Sequence, residues 1–155
     1  MTKLKKISLL LVVFLFFSNC GYTPIFSKKE VNFSIEKIKF LGDKNVGKNI
    51  DNALSSYKNK HDKEKKISLI ITSSKNTAIA SKNSKGEAQT KRIGVDVNVK
   101  IALSENNYFR KNFNKSSIYS VVDRKSEQKI IENKLIENLS SEIALQIIFE
   151  ILENI

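Results

Sequence analysis

The clearest pattern in this chain is a strict alternation. Ile93, Val95, Val97, Val99, Ile101 and Leu103 alternate with Gly94, Asp96, Asn98, Lys100 and Ala102. Such a period predicts a strand with one buried face and one largely wet face. Three further strands are weaker. Residues 31–41 begin with Val31, Phe33 and Ile35, then resume in the opposite phase at Ile38 and Phe40. A slip of one residue predicts a bulge or a local twist. Ile67, Leu69 and Ile71 open another strand, whose alternation fades through Ala78 and Ala80. Residues 81–86 are polar and end in Gly86, which predicts the turn into the strict strand. Residues 108–121, with Phe109, Phe113, Ile118 and Tyr119, read as a fourth, less regular strand.

Two stretches have helical spacing. Val46, Ile50, Ala53, Leu54 and Tyr57 share one face of a helix over residues 44–57, with Asp43 placed to cap it. A longer helix spans about residues 123–152. Ile131, Leu135, Leu139, Ile143, Ile147 and Ile151 recur every four residues, and Ile130, Ile136, Ala144, Ile148 and Leu152 widen the stripe. Asp123 or Ser126 is the expected cap. Its last turns are apolar nearly all round, so they should be buried in the core or in a partner. The order is β-α-β-β-β-α. The expected fold is α+β, with two helices packed on a four-stranded, mainly antiparallel sheet over residues 31–155.

The N-terminus follows a different pattern. Lys3, Lys5 and Lys6 precede an apolar run over residues 7–17, broken only by Ser8. The run is short for a bilayer span and fits a secretory signal over residues 1–19. An uncleaved anchor is the alternative reading. Directly after it stands Cys20, the only cysteine. A thiol is a strong nucleophile, and acyl chains contribute about 0.8 kcal/mol per buried CH₂. The arrangement resembles a bacterial lipoprotein signal, in which this cysteine becomes the lipidated first residue. Phe17, Ser18 and Asn19 occupy the lipobox positions, usually Leu, a small residue, then Gly or Ala. Gly21 in place of Asp resembles outer-membrane sorting. Residues 20–30 read as a tether, whose Tyr22, Ile25 and Phe26 either pack on the domain edge or enter the membrane interface.

Composition then limits the chemistry. One Cys excludes an intramolecular disulfide framework, and one His and one Cys exclude zinc-finger spacing. No glycine-rich phosphate loop is present. His61, in a Lys-rich loop, reads as an exposed bystander, and Glu132, Glu137 and Glu142 as solvated helix surface. Neither an enzyme activity nor a cofactor is expected.

The chain of 155 residues has a formal net charge of +11. Without residues 1–19 it has 136 residues and +8, of which residues 58–92 carry +7, while residues 123–155 carry −3. A basic hairpin backed by an apolar strand can hold phosphate or carboxylate headgroups. A solvated face inflated by Lys-rich coding is the plain alternative. Nucleic acid is not the expected partner, because no Phe, Trp or Tyr lies between Lys58 and Arg92 to stack on bases.

The opening Cys20-Gly21-Tyr22-Thr23-Pro24-Ile25-Phe26 resembles the mature start of lipopolysaccharide-assembly lipoproteins, the LptE family. Ser74-Lys75-Asn76-Thr77-Ala78, followed by a polar turn and an alternating strand, is similar to that family's central hairpin. The resemblance implies a lipid-anchored protein in the periplasmic leaflet of the outer membrane. There it would assist assembly of the β-barrel lipopolysaccharide translocon, plug it, and bind lipopolysaccharide. The matching binding positions would be Lys82 and Lys85 at the turn and Lys91 and Arg92 at the base of the next strand. Lys111 and Lys115 on the fourth strand are further matches. A different small envelope lipoprotein, such as a transporter auxiliary or periplasmic adaptor, is the second reading.

Overall fold

A computed structural model describes residues 31–104 and 106–155. The proposed signal segment, Cys20 and the tether lie outside the described residues. The order is β1 (Phe33–Gly42), α1 (Lys44–Ala53), a 3-10 turn (Ser55–Tyr57), β2 (Lys65–Lys82), β3 (Ala88–Ala102), β4 (Tyr108–Ser120) and α2 (Lys125–Asn154). The expected α+β architecture is present. The sheet order is β1-β2-β3-β4, with β1 parallel to β2 and the other pairs antiparallel. A parallel pair needs a crossover, and α1 supplies it.

The phase slip in β1 is a bulge. Register shifts between Ile35 and Lys37, so Ile35 and Ile38 oppose Ile67 and Leu69 on the same face. The extra residue, Glu36, is exposed. The edge of β1 is partly covered by the loop after α1. Lys58 bridges Ile35, Asn59 N–H donates to the Ile35 carbonyl at 3.1 Å, and Lys60 N–H donates to the buried Ser34 Oγ at 2.8 Å.

Both helices lie on one face of the sheet, and the core is the layer between. Ile67, Leu69 and Ile71 of β2 join Ile93, Val95, Val97, Val99 and Ile101 of β3, with Phe113 and Tyr119 of β4. From above come Val46, Ile50 and Leu54, then Ile136, Leu139, Ile143, Ala144, Ile147, Ile148 and Ile151. The opposite face is open and polar, with Ser74, Asp96 and Asn114 in one cross-strand row and Asn76 diagonal to Asp96. The Asp96 carboxylate accepts from Asn76 Nδ2 at 3.0 Å and from Asn114 Nδ2.

Three details depart from the pattern. Neither Asp123 nor Ser126 caps α2: Arg124 is the cap residue and no side chain bonds there. Gln128 N–H instead bonds the Arg124 carbonyl at 3.0 Å. Ile130 is 69% exposed and so stands outside the buried stripe. The every-four row stays on the core side, half-buried at Ile131 and Leu135 and buried from Leu139 to Ile151, whereas Ile130 lies about 100° round the helix from Ile131. The C-terminal turns are buried on one side only, since Leu145 and Phe149 are exposed.

The cap of α1 is as expected. Asp43 Oδ1 accepts from Asn45 N–H at 2.9 Å and Val46 N–H at 3.1 Å. Gly42 makes the corner possible. Its φ is +89°, and a Cβ there would lie 1.9 Å from the Ser73 carbonyl oxygen. Asp43 N–H donates to that same oxygen at 2.9 Å.

Candidate functional site

The β2–β3 hairpin runs past the helical layer. Residues 74–82 of β2 are all exposed, and β3 becomes buried only from Ile93 onward. The turn is set by local chemistry. Asn83 Oδ1 accepts from the N–H groups of Lys85 and Glu87, each at 3.0 Å, and Gly86 adopts a φ of +83°. Gly86 N–H returns to the Asn83 carbonyl at 2.9 Å, closing a three-residue hairpin loop with a glycine in the left-handed position.

Lys82 ends β2, and Lys85 sits in the turn. Further down the hairpin, Lys91 pairs with Ile79 on one side and Tyr119 on the other, on the helix-side face. Arg92 pairs with Ala78 and Ile118 on the open face. The hairpin end thus brings Lys82, Lys85, Lys91 and Arg92 together by topology. Among the described residues none of the four has an ion-pair partner within 4.0 Å.

Lys111 and Lys115 lie elsewhere. Both are on the helix-side face of β4, where Lys111 Nζ is 2.9 Å from Glu150 and Lys115 Nζ is 3.2 Å from Glu142. Their charges bind α2 to the sheet, and the structure does not bring them to the hairpin end. Of the glutamates, Glu132 is the correction, being half-buried. Glu137 and Glu142 have the exposed setting expected, each paired with a lysine, Lys134 at 3.1 Å and Lys115 at 3.2 Å.

The base of the hairpin is held by a polar cluster that the sequence pattern does not reveal. Tyr119 Oη donates to Glu132 Oε1 at 2.5 Å, and Gln128 Nε2 donates to the same oxygen at 2.9 Å. Burial, then the neighbouring carboxylate, pushes the Tyr119 hydroxyl up to about 12. The same two hydrogen bonds hold the Glu132 carboxyl below its usual value, helped by the nearby positive charge of Lys91. Asp43 is also lowered. Burial works against its charge but is outweighed by the Val46 and Asn45 N–H groups and by Lys75 Nζ at 3.2 Å. The only signal for the Tyr119 cluster was an aromatic on a strand and a Gln-x-x-x-Glu on a helix.

Among the described residues no group of three or more His, Cys, Asp or Glu converges, and no helix is long and apolar enough to cross a membrane. His61 is exposed in the loop before β2.

This architecture has counterparts among solved structures. Rare lipoprotein B from Shewanella oneidensis is 16% identical, with 76% of this chain and 92% of that one covered and a TM-score of 0.50. A minor lipoprotein from Acinetobacter baumannii is 12% identical, with the same coverage and a TM-score of 0.54. Lipoprotein B from Nitrosomonas europaea is 14% identical over 78% of this chain and 85% of that one, at a TM-score of 0.53. The fold is shared with bacterial lipoproteins. At such identities the likeness concerns the backbone arrangement and does not transfer any residue's role. No family model matches the sequence, and no curated protein matches it.

Proposed function

We propose that the chain is a non-enzymatic envelope lipoprotein anchored through Cys20 in the periplasmic leaflet of the outer membrane. In this reading it assists assembly of the β-barrel lipopolysaccharide translocon, plugs it, and binds lipopolysaccharide during delivery to the cell surface. The observation that carries the reading is the hairpin end. Four cations without ion-pair partners stand on a hairpin that outruns the helices, on a fold shared with bacterial lipoproteins. The opening heptad from Cys20 to Phe26 supports it independently. Lys and Arg at such a site would replace the divalent cations that otherwise bridge lipid phosphates.

The test is crosslinking of the intact lipidated protein in cells, with measurement of lipopolysaccharide binding in vitro. Capture of the translocon barrel is expected. Binding should weaken when Lys82, Lys85, Lys91 and Arg92 are all changed to Glu. Capture of an inner-membrane transporter alone would favour the auxiliary or adaptor reading. Unchanged lipid binding by the fourfold variant would remove the hairpin from the site.

A further inference from the structure

An edge strand carries a row of backbone N–H and C=O groups with no neighbouring strand, which is a template for one more. On β1 the first half of that row is closed off, because Lys58 bridges Ile35 and Asn59 N–H bonds the Ile35 carbonyl. Beyond Ile35, no described segment pairs with the outer side of β1 as far as Gly42. A groove of about 490 Å³ runs beside this open stretch, lined by Ile38, Phe40 and Leu41 of β1 and by Lys44, Gly47 and Lys48 of α1. No β2 residue lines it, so it lies on the outer side of the strand. Its apolar groups are left uncovered. Ile38 and Phe40 are half-buried, whereas their β2 partners Leu69 and Ile71 are fully buried, and Leu41 is 45% exposed.

Four exposed lysines flank the same stretch, Lys37 and Lys39 on the open face of the sheet and Lys44 and Lys48 on α1. Among the described residues none of them has an ion-pair partner within 4.0 Å. The aspartates close by are engaged already: Asp43 caps α1 and pairs with Lys75, and Asp51 pairs with Lys58. We infer that the free half of β1 takes an extended segment of a partner protein as an added strand, one in which apolar and acidic residues alternate. Successive side chains of a strand point to opposite faces. On the helix side the added strand meets Ile38 and Phe40, and on the open side it meets Lys37 and Lys39. Its backbone hydrogen bonds supply affinity, and the alternate side chains supply selectivity. The bulge at Glu36 and the lysines also keep this edge from pairing with a second copy of the chain, whose own lysines would be repelled. An acidic strand meets no such repulsion. The site is separate from the hairpin end and does not rest on the lipid-binding reading.

The probe is a synthetic peptide of about six residues alternating Asp and Val, long enough to cover the open stretch. A second peptide has the same sequence N-methylated along its backbone, which removes the ladder donors and keeps the side chains and charge. Amide hydrogen exchange on the full chain in detergent should slow across residues 37–42 when the first peptide is added. The N-methylated peptide should bind about tenfold more weakly or worse. The double variant Lys37→Glu and Lys39→Glu, at two exposed positions, should weaken the first peptide about tenfold or more. That variant should bind a third peptide, with Lys in place of Asp, better than the parent does. Equal binding of the N-methylated peptide, slowed exchange confined to the hairpin end, or no saturable binding would overturn the inference. So would slowed exchange at residues 37–42 on phosphatidylglycerol vesicles but not on the peptide, which would give the lysines to a membrane surface.

Discussion

Single residues decide two things here, the corner before α1 and the base of the hairpin. Gly42 and Gly86 have nearly the same backbone, φ +89° and +83°, in opposite surroundings. A Cβ at Gly42 collides with the Ser73 carbonyl, whereas nothing lies within 4 Å at Gly86. Gly42→Ala should therefore destabilise by about 3 kcal/mol or more, from strain and overpacking together, and Gly86→Ala by about 1 kcal/mol from strain alone. Urea unfolding midpoints would show the difference, and equal losses would contradict it. The Tyr119 cluster sets a pH dependence. Tyr119 titrates at 10.0 in an unconstrained chain and at about 12 in the fold. Between those values the folded state holds the proton more tightly, so this contribution is complete below pH 10 and is lost as pH rises towards 12. Glu132 and Asp43 have the opposite sign. Their lowered values contribute stability above the ordinary values of 4.5 and 3.8, lost as pH falls through the folded ones. Unfolding measured against pH should show both limbs, and Tyr119→Phe should reduce the alkaline one. Asp43 was legible as a cap because its partners are two and three residues away. The Tyr119–Glu132 bond was not, because alternation specifies a side chain's face and says nothing of what a distant helix places over it.

At the scale of elements, α2 and β4 are matched in length and antiparallel in charge. Tyr119, Lys115 and Lys111 meet Glu132, Glu142 and Glu150 in that order. Four residues of strand rise about 13.5 Å, and the eight or ten intervening helical residues rise about 12–15 Å, so the contacts stay in step. The ion pairs orient the helix more than they hold it. Both have a partner with a large exposed fraction, so Glu142→Gln and Glu150→Gln should each cost less than about 1 kcal/mol. Ile147→Ala, in the fully buried stripe, should cost about 2–5 kcal/mol. Denaturant unfolding of the three variants tests that ranking, and an ion-pair loss matching the core loss would refute it. Strict alternation made β3 legible, and the phase slip made the bulge in β1 legible. The function of Lys111 and Lys115 was hidden for a simple reason. A lysine beside an apolar strand position reads alike whether it meets solvent, a lipid or a glutamate some thirty residues on. Alternation alone could not show that β1 lies parallel to β2; the signal for it was the helix between them, which supplies the crossover.

Residues 31–155 form a two-layer body with one long hairpin extending beyond it. On the body Lys58, Lys75, Lys111 and Lys115 pair with Asp51, Asp43, Glu150 and Glu142, while among the described residues the four cations at the hairpin end have no ion-pair partner. Lipopolysaccharide binding should accordingly weaken as salt rises, because exposed charges interact over a Debye length of about 8 Å at physiological ionic strength. The fourfold Glu variant should lose that salt dependence along with affinity, as titration at two salt concentrations would show. The parallel pairing of β1 with β2 has a mechanical consequence. The chain enters the sheet at Phe33, opposite Lys65, at the end of the ladder farthest from the hairpin turn. A pull between that entry point and a ligand gripped by the hairpin drags β1 and β2 in opposite directions along their length. The hydrogen bonds from Phe33 to Gly42 then share the load in shear and cannot be peeled one at a time. Held at Phe33 and at the hairpin turn, the domain would have its strongest seam where the force runs.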